Sequence, residues 1–221
     1  MADYTTQRAN MVDCQVRPSD VTDRRIPRVM LEVPRELFVP AGQRSLAYRD
    51  DPVKVADGPN GGRFLLAPRV LSKMLQNLEV AEGDTVLDIG CATGYTAAVL
   101  SHLAKGVIAI ESDTALAERA IANMASIGAG NVTVETGSLP EGSPSRAPYD
   151  AILLEGSIAH LPPNLLDQLK DGGRLVAVIF ERGIGKVALW RRYGMQFDHR
   201  TLFDAGVAPL PGFERPVEFV L

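Results

Sequence analysis

Three carboxylates in this 221-residue chain are tied to apolar runs: Asp88 lies inside Thr85 to Ile89, Glu111 closes Val107 to Ile110, and Glu155 closes Ala151 to Leu154. The first run passes straight into Gly90-Cys91-Ala92-Thr93-Gly94-Tyr95, and an apolar helical pattern, Ala97-Ala98-Val99-Leu100 to Ala104, follows. Glycines at such a turn let the backbone reverse sharply and let a ligand lie against main chain that any side chain would shield. N–H groups at the helix start favour a carboxylate or phosphate. The spacing D-x-G-x-x-x-G is looser than G-x-G-x-x-G, whose crowded glycines approach a pyrophosphate, and Asp88 beside the turn argues against a nearby phosphate. Glu111, at the tip of the next strand, is placed to accept hydrogen bonds from two ribose hydroxyls, a device that by itself indicates a nucleoside and not which one. The order strand, glycine turn, helix, strand, acid points to S-adenosylmethionine. The candidate cofactor contacts are Asp88, Gly90, Cys91, Ala92, Gly94 and Tyr95 in the turn, Glu111 and Ser112 after the second strand, Gly137, Ser138 and Leu139 after the third, and Glu155 after the fourth. Cys91 is a small side chain tolerated in the turn, with no redox role.

Glu155 suits a hydroxyl or amine nucleophile whose proton must leave, or a cationic substrate. The alternative is a structural role, pairing with an arginine or capping a loop. His160 is a possible partner base or a surface histidine.

These groups need a scaffold that brings strand ends together. Thr114 to Ile127 places Leu116, Ala120, Ile121, Met124 and Ile127 at helical spacing, with Asp113 as cap and Gly128 as stop. Val132 to Glu135, Ala151 to Leu154 and Leu175 to Phe180 read as further strands, the last two separated by a short helix from Pro162-Pro163 through Leu169 that Asp171-Gly172-Gly173 ends in a tight turn. Such alternation predicts an α/β, Rossmann-like fold: a mostly parallel, doubly wound sheet covered by helices, with ligands at the carboxyl ends of its strands. Lys186 to Arg192 and Pro216 to Leu221 predict an antiparallel C-terminal edge, with Trp190 as a packing residue. Before residue 80 the rhythm is absent. Tyr4 to Val16 and Ser19 to Val33 read as two helices, the second capped by Ser19 or Asp20, and Pro68 opens a third. Residues 1–80 therefore read as a helical cap, with Gly58-Pro59-Asn60-Gly61-Gly62 as a lid or a surface loop, and 81–221 as the cofactor-binding core.

Composition narrows the partners. A net charge of −4 and a pI near 5.4 give no reason to expect nucleic acid or an anionic membrane. No apolar run approaches the ~20 residues of a membrane span, and the N-terminus lacks a signal-peptide core, so a cytoplasmic location is expected. Cys14 and Cys91 read as free thiols, and the dispersed His102, His160 and His199 suggest no metal site. Oligomeric state is not encoded in any feature of the sequence.

From about Pro34 onward the chain resembles the protein-L-isoaspartate O-methyltransferases, which methylate the carboxylate of damaged aspartyl residues. The resemblance is carried by Pro34-Arg35-Glu36-Leu37-Phe38-Val39-Pro40, Ala47-Tyr48-Arg49-Asp50, the glycine turn with Tyr95, Ala147-Pro148-Tyr149-Asp150-Ala151-Ile152, Pro162 to Leu169, and Gly172-Gly173-Arg174-Leu175-Val176. The extension with Met11-Val12-Asp13 and Gln15-Val16-Arg17-Pro18 looks like that of a bacterial branch. The resemblance implies S-adenosylmethionine as donor, S-adenosylhomocysteine as product, and as acceptor an isoaspartyl protein or peptide; the alternatives are another acceptor, a small molecule included, and a non-catalytic protein that binds the cofactor. Three positions depart from the family pattern. Leu66 stands where the family's Thr-Ile-Ser-x-Pro serine lies beside the methyl-transfer site, Ser138 replaces the aspartate of Gly-Asp-Gly, and Glu155-Gly156-Ser157 replaces Thr-Ala-Ala. Leu66 and Glu155 are thus the two candidate catalytic positions.

Overall fold

The computed structural model describes residues 3–214. Its centre is a seven-stranded sheet built from β3 (Thr85–Ile89), β4 (Gly106–Glu111), β5 (Val132–Thr136), β6 (Tyr149–Ile158), β7 (Leu169–Glu181), β8 (Ile184–Tyr193) and β9 (Gln196–Asp204), in the order β5-β4-β3-β6-β7-β8-β9. The pairs from β5 to β7 are parallel, and β8 and β9 continue antiparallel. A hairpin of β1 (Val53–Ala56) and β2 (Arg63–Leu65) stands apart from the sheet. Strand order reverses between β3 and β6, and ligands of open α/β sheets bind at that switch point.

Alternation along β3 explains the two-sided core. Val86 faces a cluster shared with Val107, Val176, Met11, Met30 and Leu71, whereas Leu87 faces another with Ile110, Tyr149, Leu154 and Leu175. Helices α1 (Tyr4–Met11), α2 (Arg25–Glu32) and α3 (Pro68–Leu78) pack on the first side with α4 (Tyr95–Ser101) and α5 (Thr114–Ile127); α6 (Pro163–Asp167) lies on the second. The caps of α5 are as expected: Asp113 Oδ1 accepts from the Ala115 and Leu116 amides at 2.8 and 3.1 Å, and Gly128 takes φ +71°. On the second side, the Tyr149 hydroxyl donates to the Ser143 carbonyl at 2.8 Å from a fully buried position. Tyr149→Phe leaves that carbonyl with only the Arg146 amide at 3.2 Å and lowers unfolding free energy by about 1 kcal/mol in urea titration, at unchanged slope.

Three expectations change. The second N-terminal helix runs over Arg25–Glu32 and not from Ser19, because Pro27 has no N–H and fits only a first turn; Asp20 instead takes φ +58° and the Ser19 hydroxyl bonds back to the Gln15 carbonyl. The first helix widens into a π turn over Val12–Val16. The short helix stops at Asp167, and Asp171-Gly172-Gly173 form an excursion inside β7, where the register jumps from Tyr149 opposite Leu169 to Ala151 opposite Arg174. Gly58 to Gly62 closes the β1–β2 hairpin: Gly62 takes φ +108°, and a methyl group there would lie 2.3 Å from the Ala56 carbonyl oxygen. The strand expected over Pro216 to Leu221 lies outside the described residues. Segment 205–214, for which the sequence suggested no element, crosses the carboxyl edge of β6, bonded through Ser157 N–H to Ala208 O at 2.9 Å and Leu210 N–H to Ser157 O at 2.8 Å. No helix among the described residues is long and apolar enough to cross a membrane.

Candidate active site

Register brings the three carboxylates together. Ile89 pairs with Ile110 of β4 on one side and Leu154 of β6 on the other, so the next residues, Gly90, Glu111 and Glu155, leave the sheet side by side. Gly90 adopts φ +82°, which favours glycine, and its amide donates to Ile110 O at 2.8 Å.

Glu111 is fully buried and held from both ends. One carboxylate oxygen accepts from Ala92 N–H at 2.7 Å and from the Arg63 guanidinium at 2.8 Å; the other accepts from the Ser112 and Asp113 amides at 2.8 and 3.2 Å. The same Arg63 nitrogen donates to Gly90 O at 2.7 Å. Sequence reasoning missed Arg63; its signal is an arginine at the head of the apolar run Phe64-Leu65-Leu66, a charge that a buried strand tolerates only with a partner.

Asp88 and Glu155 form the second part. Both are buried; Asp88 has no hydrogen-bond partner on either oxygen, and Glu155 accepts the Thr96 hydroxyl at 2.6 Å on one oxygen while the other has none. Burial pushes the Asp88 carboxyl well above its ordinary range, and the neighbouring Glu155 and Glu111 add to this. Glu155 is pushed up to about 7, chiefly by burial, against the opposing pull of Thr96, Asp88 and Arg63. Of the two sequence alternatives for Glu155, an arginine pair and a loop cap, the observed hydrogen-bond partner is neither: it is a hydroxyl on α4. His160 is exposed on a groove with Trp190 and His199, separate from the acid pair.

The remaining candidates divide. Leu66 joins Glu155 and Arg63 around one small cavity, and its carbonyl accepts from the fully buried Arg35 at 2.8 Å. Cys91 is buried, and burial with the nearby acids holds its thiol protonated. The amides of Gly90, Cys91, Ala92 and Gly94 are all spent on protein acceptors, so the turn offers fewer free N–H groups than its sequence implied. Gly94 is bare for helix packing: a methyl group there would lie 3.0 Å from Met124 Cε and 3.2 Å from Ala120 Cβ. Tyr95 turns toward the N-terminal segment, with the Arg35 guanidinium 4.5 Å above its ring and Phe38 edge-on. Gly137 donates to Glu111 O at 3.0 Å, Ser138 is exposed, and Leu139 is buried next to it.

Three buried acids against one guanidinium, with Asp88 unpartnered, suit a ligand carrying positive charge and a ribose. S-adenosylmethionine, with its sulfonium and ammonium, has that character, so the donor set fits the cofactor that the sequence suggested. The fold and this site define an S-adenosylmethionine-dependent methyltransferase. Residues 6–200 match the family model described as protein-L-isoaspartate(D-aspartate) O-methyltransferase, and the chain belongs to that family. A relative from Roseiflexus sp. (strain RS-1) named protein-L-isoaspartate O-methyltransferase is 36% identical over 95% of this chain and 94% of its own length. Another from Rhodopseudomonas palustris (strain HaA2), named protein-L-isoaspartate O-methyltransferase 1, is 40% identical over 78% of this chain and 69% of its own. A solved structure described as a protein-L-isoaspartate O-methyltransferase superposes with TM-score 0.83 at 24% identity, over 93% of this chain and 66% of the other. A second, from Plasmodium falciparum and in complex with S-adenosyl-L-homocysteine, gives 0.79 at 19%, over 95% and 99%. At these identities the two structures establish the shared fold.

Proposed function

We propose that this chain transfers a methyl group from S-adenosylmethionine to the side-chain carboxylate of isoaspartyl residues in proteins or peptides, and that the acid set around Gly90 holds the donor. The carrying observation is that set: Asp88, Glu111 and Glu155 converge at the switch point of the family fold. When bound, the cofactor supplies an electrophilic methyl on a sulfonium. Glu111, oriented by the Ala92, Ser112 and Asp113 amides, is suited to accept ribose hydroxyls, and Asp88 with Glu155 faces positive charge. An isoaspartyl carboxylate is ionised at neutral pH and is a competent nucleophile, so alignment and exclusion of water are the tasks left to the protein. A second carboxylate beside it would repel it. The upward push that burial gives Glu155, to about 7, lessens that repulsion.

The same observation favours a second reading. A glutamate poised near neutrality is a serviceable general base for a hydroxyl or amine acceptor, and Leu66 supplies no hydrogen bond to a carboxylate. Incubation with labelled S-adenosylmethionine and an isoaspartyl peptide, beside its aspartyl counterpart, separates them: base-labile ester on the first peptide alone is expected, and none on either moves the acceptor to another class. Leu66→Ser, which adds one hydrogen-bonding group beside Glu155, is expected to raise isoaspartyl methylation about tenfold; unchanged turnover would mean that this position does not touch the acceptor. Within residues 1–80, β2 and Leu66 serve in this reading as the cover of the acceptor side, while α1 to α3 pack on the first face of the sheet. The free Cys14 and Cys91 thiols support a cytoplasmic location, and the acidic pI supports a protein or small-molecule acceptor over nucleic acid.

A further inference from the structure

The space over Gly90 is filled by the protein's own side chains. A methyl group on Gly90 would lie 2.7 Å from Leu210 Cδ2 and 3.0 Å from the Arg63 guanidinium, and one on Gly156 would lie 2.8 Å from both Ala208 O and Leu210 Cγ. What remains between Leu66, Glu155, Arg63 and Ala208 is a cavity of about 10 Å³, enough for about one water, where a cofactor-sized ligand needs roughly 300 Å³ or more. Two groups close it, and each resembles part of what it excludes. Arg63 satisfies the ribose-directed oxygen of Glu111 with a positive charge, and Leu210 lays an apolar side chain against the bare glycine. The two are tied to each other: Asn60, in the turn that leads to β2, donates to Glu214 at the end of the segment that carries Leu210, at 2.9 Å.

We propose that Arg63 and segment 205–214 form an internal plug in the cofactor cleft, which the cofactor enters by exchanging its own cation for the guanidinium and displacing Leu210. The inference rests on the cofactor reading above. The segment lies outside the strand ladder of the main sheet: bonds to Ser157 hold it on β6 around the buried Leu210, while the Ala205 amide on Gly185 O and the buried Phe213 fix its two ends, so only the stretch between them has to move. Ribose hydroxyls take over the Glu111 oxygen that the guanidinium leaves while the incoming cation restores positive charge to the acid set, whereas an empty cleft would leave Glu111 without its cation.

The test is hydrogen exchange on the full chain with and without S-adenosylmethionine, which carries the sulfonium, beside calorimetric titration of the wild type, Arg63→Gln and Leu210→Ala. The plug predicts that the ligand speeds exchange of the Ser157 and Leu210 amides at least tenfold, and that each variant binds about tenfold more tightly than wild type. Exchange needs only the wild-type protein, so a variant that folds poorly does not remove the test. Binding to wild type with both amides still protected would overturn the plug and leave the cofactor reading intact. No binding to any form at millimolar ligand would overturn the cofactor reading and the plug with it.

Discussion

Glu111→Ala lowers the unfolding free energy by about 3–5 kcal/mol, the range for removing one partner of a buried ion pair, and weakens S-adenosylhomocysteine by a further 1–3 kcal/mol, roughly the worth of hydrogen bonds to a charged group. The size of the first effect follows from what the carboxylate holds. Its removal strands the Arg63 guanidinium, 9% exposed at the side chain, and leaves the Ala92, Ser112 and Asp113 amides without their acceptor. Glu111→Gln keeps the shape and one acceptor oxygen but loses the charge, so it should fall between wild type and alanine. Urea titration measures the stability term and calorimetry the ligand term. A loss below about 1 kcal/mol in urea would mean that Arg63 finds another partner and that Glu111 is not the anchor of the site.

The second large effect is on pH. The Glu155 carboxyl rises from an ordinary value near 4.5 in the unfolded chain to about 7 in the folded protein. Below about pH 4.5 both states hold the proton and Glu155 is neutral to stability. As pH rises through the window from 4.5 to 7, the unfolded chain releases its proton first and is favoured, so stability falls; above 7 both are ionised and the loss is complete. By linkage the loss is on the order of 3 kcal/mol. Asp88 on β3, raised in the same direction, adds to the slope, while the Thr96 hydroxyl on α4 and Arg63 on β2 oppose it. Asp150, held low by Lys170 and the Thr85 amide, has the opposite sign, and its contribution disappears only in more acid solution. Urea midpoints should therefore be higher at pH 5 than at pH 7.5, and Glu155→Gln should remove most of that difference. Equal midpoints in the wild type at the two pH values would place Glu155 in a wetter setting than the one described.

Much of this site was legible before folding. The run from Thr85 to Tyr95, the acid at the end of Val107 to Ile110 and the capped helix from Thr114 are local patterns, and local patterns carry strand, turn and helix with their order. Their order in turn implies a parallel sheet, and a parallel sheet with a reversal implies a crevice at its strand ends. Glu155 was visible for the same reason. The start of α2 was misplaced because Ser19 and Asp20 have the composition of caps, while the deciding residue, Pro27, acts from further along the chain.

Three features needed the tertiary structure. Arg63 and Glu111 are separated by 48 residues, and their pairing depends on the β1–β2 hairpin lying against the β3 turn, which no local period announces. Glu155 was readable as an acid at a strand end; its elevation to about 7 was not, since that comes from dehydration and from the Glu111 carboxylate at the end of another strand. Segment 205–214 has neither period, and its place over Gly90 follows from backbone bonds to Ser157 and Gly185 and the burial of Leu210 and Phe213. The sequence by itself determined the methyl donor's scaffold: spacing along one chain sets which elements form, and those elements set which strand ends meet. Only the tertiary structure decided what fills that meeting point, because burial and charge compensation act between residues far apart in the chain, and neither leaves a mark in its local pattern.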